Sequence, residues 1–231
     1  MARPNNTKGI SGVLKMSVKL FDAPKNIDQK IVYLARVSSE NQENPNYISL
    51  LKYLIREGHW SPFDCVHITL EVNTQKDIGI QMLRHQTLKP QEWSQRYADC
   101  SGMQAPLREC RMQDESNRQN SLECLDVDLI DWWIESQTKV QELCFSTYDQ
   151  ALSKGIAKEV ARSVLPIGLT NTKMYFSGSV RSWLFYCKSR LHESTQKEHR
   201  VIAQGALEVL RQIAPITAEA FFNSTQQNYG V

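Results

Sequence analysis

Residues 127–153 set apolar side chains at three- and four-residue steps, with no glycine or proline to interrupt them. Leu129, Trp133, Val140, Leu143, Cys144, Tyr148, Ala151 and Leu152 carry the repeat, the pattern of one amphipathic helix. Gly155 follows where a C′ glycine would end it. A helix of that length spans roughly 40 Å, much of the width of a domain. Its apolar positions suit a core and equally a contact between subunits. A chain of 231 residues holds one large domain or two small ones. No internal repeat, low-complexity tract or linker divides this one, so a single domain over residues 1–231 is expected.

Shorter pieces surround the long helix. The first 12 residues are mostly polar and include Pro4, Gly9 and Gly12, which predicts a frayed tail. Residues 13–21 partly alternate and predict a strand. A turn at 22–25 leads to a helix over 26–36, with Ile27, Ile31, Leu34 and Ala35 at helical spacing. After a polar loop over 38–46, Tyr47, Leu50, Leu51 and Leu54 share one face of a second helix, which stops at Gly58. Residues 59–64 read as a compact loop. Residues 66–72 alternate, are partly β-branched and predict a strand. Asn73 or Thr74 can cap the next helix, which runs through Ile78, Ile80, Met82 and Leu83. Residues 98–126 are polar and irregular, as functional or mobile regions of compact domains are. Beyond the long helix, 157–165 is a short helix ended by Pro166, 170–177 is a strand, and 179–190 and 195–213 are helices. Pro215 opens a last short helix at its N1 position. This order of elements predicts an α+β fold with few strands and mostly helix.

The net charge of +2 at pH 7 calls for neither nucleic acid nor an anionic membrane. Six cysteines stand at 65, 100, 110, 124, 144 and 187. None forms a C-x-x-C pair and no histidine flanks them at zinc-site spacing, so no metal is expected. Scattered single cysteines suit a reducing compartment. The N-terminus lacks an apolar signal core, and no run approaches the roughly 18 apolar residues of a membrane span. A soluble protein of the cytoplasm is expected.

The densest chemistry lies in residues 81–97, Gln-Met-Leu-Arg-His-Gln-Thr-Leu-Lys-Pro-Gln-Glu-Trp-Ser-Gln-Arg-Tyr. The stretch reads as the end of a helix, a break at Pro90 and a polar turn. A solvated loop seldom also carries Trp93 and Tyr97, and a buried one seldom carries so many hydrogen-bonding groups without something to bond. We read it as the holder of an anionic, ring-containing ligand. Arg84, Arg96, Arg162 and Arg190 lie among apolar residues, outside charge runs. Arginine is planar, always charged and suited to phosphate and carbonyl-bearing rings. The plainer reading places each of them at the surface or paired with Asp or Glu. Arg181 and Arg190 are nine residues apart on one helix and so point to opposite sides of it. Ser94 lacks a G-x-S-x-G elbow, no cysteine lies in the motif, and a lone His59 in a turn reads as a structural group. Neither the dinucleotide nor the P-loop glycine pattern is present. Residue chemistry leaves two readings open. One is an enzyme acting on phosphorylated or carbonyl-rich small molecules. The other is an RNA- or nucleotide-binding module in which Trp60, Trp93 and Tyr97 stack on bases. The near-neutral charge and the absence of basic runs count against the second.

Five stretches, in order, resemble the flavin-dependent thymidylate synthases, and the likeness runs from Ala35-Arg-Val-Ser38 to Gln196. Arg84-His85-Gln86, seven residues, then Ser94 is similar to that family's Arg-His-Arg, seven residues, Ser motif. Gly58-His-Trp-Ser-Pro-Phe-Asp64 resembles its Gly-His-x-Ser/Thr-x-Phe-Glu/Asp loop, and Glu159-Val-Ala-Arg-Ser-Val-Leu-Pro166 its Glu-x-Ala-Arg-x-x-Leu-Pro helix. Ser177-Gly-Ser-Val-Arg181 and Lys188-Ser-Arg-Leu191 fall where the family places later flavin and nucleotide contacts. Asn117-Arg-Gln-Asn-Ser121 is similar to its viral and cyanobacterial branch.

The resemblance implies a single, mostly helical α+β domain with a small, largely antiparallel sheet. It implies methylation of dUMP to dTMP, with 5,10-methylenetetrahydrofolate as carbon donor and NADPH as hydride source through FAD. It further implies a homotetramer with shared active sites and, for a viral chain, the host cytoplasm. Gln81, Arg84, Glu92, Trp93 (by its backbone), Ser94, Gln95, Arg96, Arg162 and Arg190 would hold dUMP. Arg190 would be catalytic, favouring ionisation at uracil N3. Ser38, His59, Ser61, Arg84, His85, Gln86, Glu92, Ser179, Val180 and Arg181 would touch FAD. No cysteine nucleophile is implied; Ser94 is then a nucleotide ligand, the alternative being a nucleophile. Two positions depart from the pattern. Gln86 replaces an arginine and removes a fixed charge, for which Lys89 is a substitute. Phe185 stands where a polar flavin contact is common.

Overall fold

The computed structural model describes residues 15–227, and for 224–227 the backbone alone; the tail expected over residues 1–12 lies outside them. Two nine-residue strands form the centre. β2 (His67–Gln75) and β6 (Asn171–Ser179) pair antiparallel along their whole length, from His67 opposite Ser179 to Gln75 opposite Asn171. Alternation fixes this register. Ile68, Leu70 and Val72 of one strand and Met174 and Phe176 of the other face the same side and are buried. β1 (Ser17–Asp22) joins β2, with an irregularity after Leu20. β3 (Lys89–Glu92) joins the other edge of β6. The sheet order is β1-β2-β6-β3, antiparallel throughout.

β3 corrects the expected chain break at Pro90. Pro90 lies opposite Phe176 in an edge strand, where a residue without an N–H is tolerated. The next helix is corrected too. Asn73 and Thr74 stay in the ladder opposite Lys173 and Thr172, so α4 (Lys76–Met82) begins only after Gln75.

On the buried side of the sheet pack α1 (Ile27–Ala35), α2 (Ile48–Arg56), α7 (Val180–Arg190), α8 (Lys197–Ile213) and α9 (Pro215–Gln227). Ile27, Ile31, Leu51, Trp183, Leu184 and Ile202 fill this core. Buried Asp28 joins α1 to α9: its carboxylate accepts the Ile216 amide at 3.0 Å, the Thr217 amide at 3.1 Å and the Thr217 hydroxyl at 2.5 Å. A carboxylate there satisfies the free amides of a helix N-terminus. The stretch read as a loop over 59–64 contains one helical turn, α3 (Ser61–Asp64).

α5 (Val127–Ser153) has the bounds the sequence predicts, and Gly155 follows at φ +82°. Asp126 caps it by accepting the Leu129 amide at 3.1 Å. Phe145 and Tyr148 bury against Cys100, Met103, Ala161 and Leu165 in a second core. Glutamines bind α5 to the backbone before the hairpin. Gln137 both accepts the Arg108 amide and donates to its carbonyl, and Gln141 donates to the carbonyls of Ala105 and Leu169. The apolar repeat therefore splits over two faces: Val140 and Leu143, expected beside Tyr148, are 47% and 67% exposed, with Trp132 at 58%. The region expected to be irregular holds a hairpin, β4 (Arg111–Gln113) with β5 (Ser121–Glu123). The short helix after Gly155 is α6 (Lys158–Ala161) continued by a 3-10 turn, Arg162–Val164. No helix among the described residues is long and apolar enough to cross a membrane.

Candidate active site

The segment after α4 packs over the end of β6 and the first turn of α7, with Leu88 tight against Gly178, where a Cβ would stand 2.5 Å from Leu88 Cδ2. Three residues earlier, His85 meets the far end of α7. Arg190 Nε donates to His85 Nε2 at 2.7 Å, and the His85 ring stands edge-on to Tyr186 with centroids 4.9 Å apart. Among the described residues Arg190 makes no ion pair. Its side-chain partner is an imidazole, so a half-buried positive charge is left without an acid to balance it.

That imidazole is neutral. Burial, and then the Arg190 charge, push the His85 pKa from 6.5 down to about 4. With Nε2 accepting from Arg190, its proton sits on Nδ1, a donor for a ligand. Arg84, exposed beside it, makes no side-chain hydrogen bond or ion pair among the described residues. Lys89 Nζ lies 2.9 Å from the Gln86 carbonyl oxygen, so a cation stands beside the position where Gln86 supplies none. Arg190 with the Nδ1 donor of His85 suits an anion with hydrogen-bond acceptors, and Arg84 and Lys89 flank His85 in the chain.

Behind it runs a polar chain that sequence reasoning missed. His199, fully buried on α8, contacts Gln81 Oε1 through Nδ1 and the Tyr186 hydroxyl through Nε2, both at 3.2 Å. Gln81 Nε2 donates to Gln196 Oε1 at 2.7 Å, and Gln196 Nε2 to Glu198 Oε2 at 2.9 Å. Arg111 closes the chain with bonds of 2.8 and 3.0 Å to Glu198. One signal was available: His199 shares a stripe of α8 with Ile202, Ala206 and Leu210, an unlikely place for an idle imidazole.

A second group forms at the start of α4 and the end of β3. Glu92 Oε1 accepts from Lys76 Nζ at 2.6 Å and from the Thr172 hydroxyl at 2.7 Å. The Trp93 amide donates to the Lys173 carbonyl at 2.9 Å, and its side chain packs on the second core. Ser94 Oγ accepts the Arg96 amide at 3.3 Å, Gln95 is buried, and Arg96 forms an exposed ion pair with Glu159 at 3.5 Å. Arg162 is half-buried in the 3-10 turn and makes no side-chain hydrogen bond among the described residues.

A third group stands at the N-terminal end of α7. Ser179 caps that helix by accepting the Ser182 amide at 3.1 Å and donates to Asp64 Oδ1 at 2.8 Å; Val180 is the first helical residue. Arg181 binds Asp64 Oδ2 at 2.7 Å and lies over the Phe185 ring. These bonds hold α3, and with it Ser61, against α7. His59 is exposed beside Tyr53. Ser38 is exposed in the turn after α1, and no hydrogen bond among the described residues ties it to the Arg190 group. No group of three or more His, Cys, Asp or Glu side chains among the described residues could hold a metal ion.

The buried imidazoles set a pH dependence. Burial, Arg190 and His85 also hold His199 at about 4. Both folded-state values lie below the unfolded value of 6.5. Their contribution is therefore complete above pH 6.5 and is lost as pH falls towards 4, because the unfolded chain binds protons that the folded chain does not. Equilibrium unfolding across this window should show an uptake approaching two protons, and about one for His199→Asn. A flat stability profile over the upper half of the window would contradict neutral, buried imidazoles.

Residues 19–216 match the family model described as thymidylate synthase complementing protein. A flavin-dependent thymidylate synthase from Synechocystis sp. is 45% identical over 206 residues, covering 89% of this chain and 94% of that protein. A probable flavin-dependent thymidylate synthase from Paramecium bursaria Chlorella virus 1 is 41% identical, covering 89% of this chain and 98% of its own. Among solved structures, the UMP/dUMP methylase PolB from Streptomyces cacaoi, bound with 5-Br dUMP, is similar with a TM-score of 0.80 and 26% identity, over 93% of this chain and 97% of that one.

Proposed function

The chain belongs to the family of flavin-dependent thymidylate synthases, and we propose that it methylates dUMP to dTMP on the cationic surface around Arg190. The observation that carries this placement is the Arg190 charge, whose side-chain partner is the neutral ring of His85. A site that has to stabilise negative charge on a uracil ring needs a cation not already neutralised by the protein.

FAD fits the donor set. Hydrogen-bonding and cationic groups stand at both ends of α7, Ser179 and Arg181 at one and His85 with Arg190 at the other. The eleven residues of that helix separate them by roughly 16 Å, which suits an extended ligand carrying a diphosphate. When bound, FAD supplies the hydride that NADPH provides, and 5,10-methylenetetrahydrofolate supplies the carbon. Ser38, His59, Ser61, Arg84, His85, Gln86, Glu92, Ser179, Val180 and Arg181 would hold this cofactor.

The chain's own residues bind and polarise. Arg190 keeps its terminal nitrogens for the uracil carbonyls and an ionised N3, since Nε is engaged by His85. His85 donates through Nδ1. Lys76 and Thr172 fix one carboxylate oxygen of Glu92 and leave the other for the nucleotide. Gln81, Arg84, Trp93 through its backbone, Ser94, Gln95, Arg96 and Arg162 complete the dUMP site. Ser94 acts as a ligand.

We take the active sites to be shared between neighbouring subunits. The outward apolar face of α5, with Trp132, Val140 and Leu143, supports subunit packing, and we take the assembly to be a homotetramer of one-domain chains spanning residues 1–231. The six free cysteines suit the reducing cytoplasm, that of a host cell for a viral chain. The purified protein, given FAD, NADPH, methylenetetrahydrofolate and dUMP tritiated at C5, should release tritium to water and form dTMP. Tritium release without dTMP, or neither, would overturn the reading.

A further inference from the structure

We propose that the Arg111–Glu198 ion pair, acting through Gln196, sets the orientation of the Gln81 amide, and that His199 locks it from the opposite side as a positioning residue for the nucleotide. The inference rests on Gln81 being a dUMP ligand.

Neutral amides and imidazoles are ambiguous by themselves, because either end of the group can donate or accept. This chain ends in a charge, and the charge removes the ambiguity. Burial works to raise the Glu198 pKa, but the hydrogen bond from Arg111, the helix amide and the charges of Arg108 and Arg111 hold it below the usual value. Ionised, Glu198 can only accept. Gln196 must therefore turn its Nε2 to Glu198, which leaves Oε1 facing Gln81. Gln81 must then give Nε2 to Gln196 and Oε1 to His199. His199 must carry its proton on Nδ1, so Nε2 accepts from the Tyr186 hydroxyl. Each orientation follows from the one before it, and together they specify a single direction of donation from Tyr186 to Glu198.

The consequence falls on Gln81. One Nε2 hydrogen and one Oε1 lone pair are committed inside the chain. The second hydrogen and the second lone pair remain, in positions that the buried partners define. A Gln81 free to flip would offer the nucleotide both orientations, and half of them would place a carbonyl oxygen against an acceptor. The same chain ties the hairpin, through Arg111, to the segment that carries His85. Tyr186 also packs on His85, so both ring contacts of the site share one set of supports.

The test compares His199→Leu with His199→Asn in the flavin-loaded enzyme, with dUMP as the titrant and calorimetry as the readout. Asparagine keeps a donor where Nδ1 stood; leucine keeps volume and removes the donor. His199→Leu should weaken dUMP binding about tenfold, the loss typical of one buried hydrogen bond, and raise KM for dUMP with kcat changed less. His199→Asn should recover most of that loss. Flavin content should match the wild type in both variants. Equal dUMP affinity in His199→Leu and wild type would overturn the proposal, and so would equal weakening in the two variants, because packing rather than donation would then be responsible. A wild-type enzyme that binds no dUMP would instead overturn the functional reading, and this inference with it.

Discussion

Arg190→Met should lower kcat/KM for dUMP methylation by about a hundred- to a thousandfold, the loss typical of removing one preorganised electrostatic group. Methionine retains much of the volume of the arginine stem. It removes both the charge and the Nε donor to His85. The second loss has its own signature. Arg190 is one of two causes that depress the His85 pKa, so the imidazole should titrate closer to its ordinary value, which NMR of the ring protons measures. Arg190→Lys separates the two functions, because an ammonium can keep the charge but not the planar fork. Its activity should fall between those of the wild type and Arg190→Met. Near-wild-type turnover in Arg190→Met would remove Arg190 from catalysis.

Glu198→Ala should destabilise the protein by about 3 kcal/mol, the low end for breaking a buried pair from one side. For a chain of this size that lowers Tm by roughly 8 °C. The Arg111 and Glu198 side chains are 15% and 10% exposed, so little water replaces the lost bonds. Glu109, at 3.1 Å from Arg111, is exposed and already bound by Lys197, which limits its compensation. Gln196 also loses the partner that orients it. The Arg211–Glu208 pair on α8 is the control: both side chains are more than half exposed, and removing Glu208 should leave Tm unmoved. Thermal unfolding of the two variants side by side distinguishes a buried network from a surface pair, and equal Tm values would contradict it.

Local periodicity made the long elements legible. α5 was readable to its ends because its own repeat and Gly155 define them, and β2 because Ile68, Leu70 and Val72 alternate. Periodicity did not say which apolar face of α5 turns inward, since Val140 and Leu143 belong to the same three- and four-residue pattern as Tyr148. The ends set by tertiary pairing were not legible. Asn73 and Thr74 have the chemistry of helix caps, but strand pairing with Lys173 and Thr172 overrides it. Pro90 looks like a breaker until an edge strand is there to receive it.

The site divides the same way. Of the proposed site, Arg84, His85, Glu92 and Ser94 lie together in one stretch of sequence and were legible there. Tyr186, His199, Gln196 and Arg111 come from α7, α8 and β4, and only folding brings them to Gln81. Lys76 and Thr172 were missed for the same reason: Glu92 joins them across 16 and 80 residues of chain.

A crystal structure of the enzyme with FAD and dUMP tests the central assignment most directly. A terminal nitrogen of Arg190 should lie within about 3.2 Å of a uracil carbonyl oxygen or N3, with the flavin ring against the same uracil and His85 still bonded to Arg190 Nε. A nucleotide bound elsewhere, with Arg190 instead paired to a carboxylate of the protein, would contradict it.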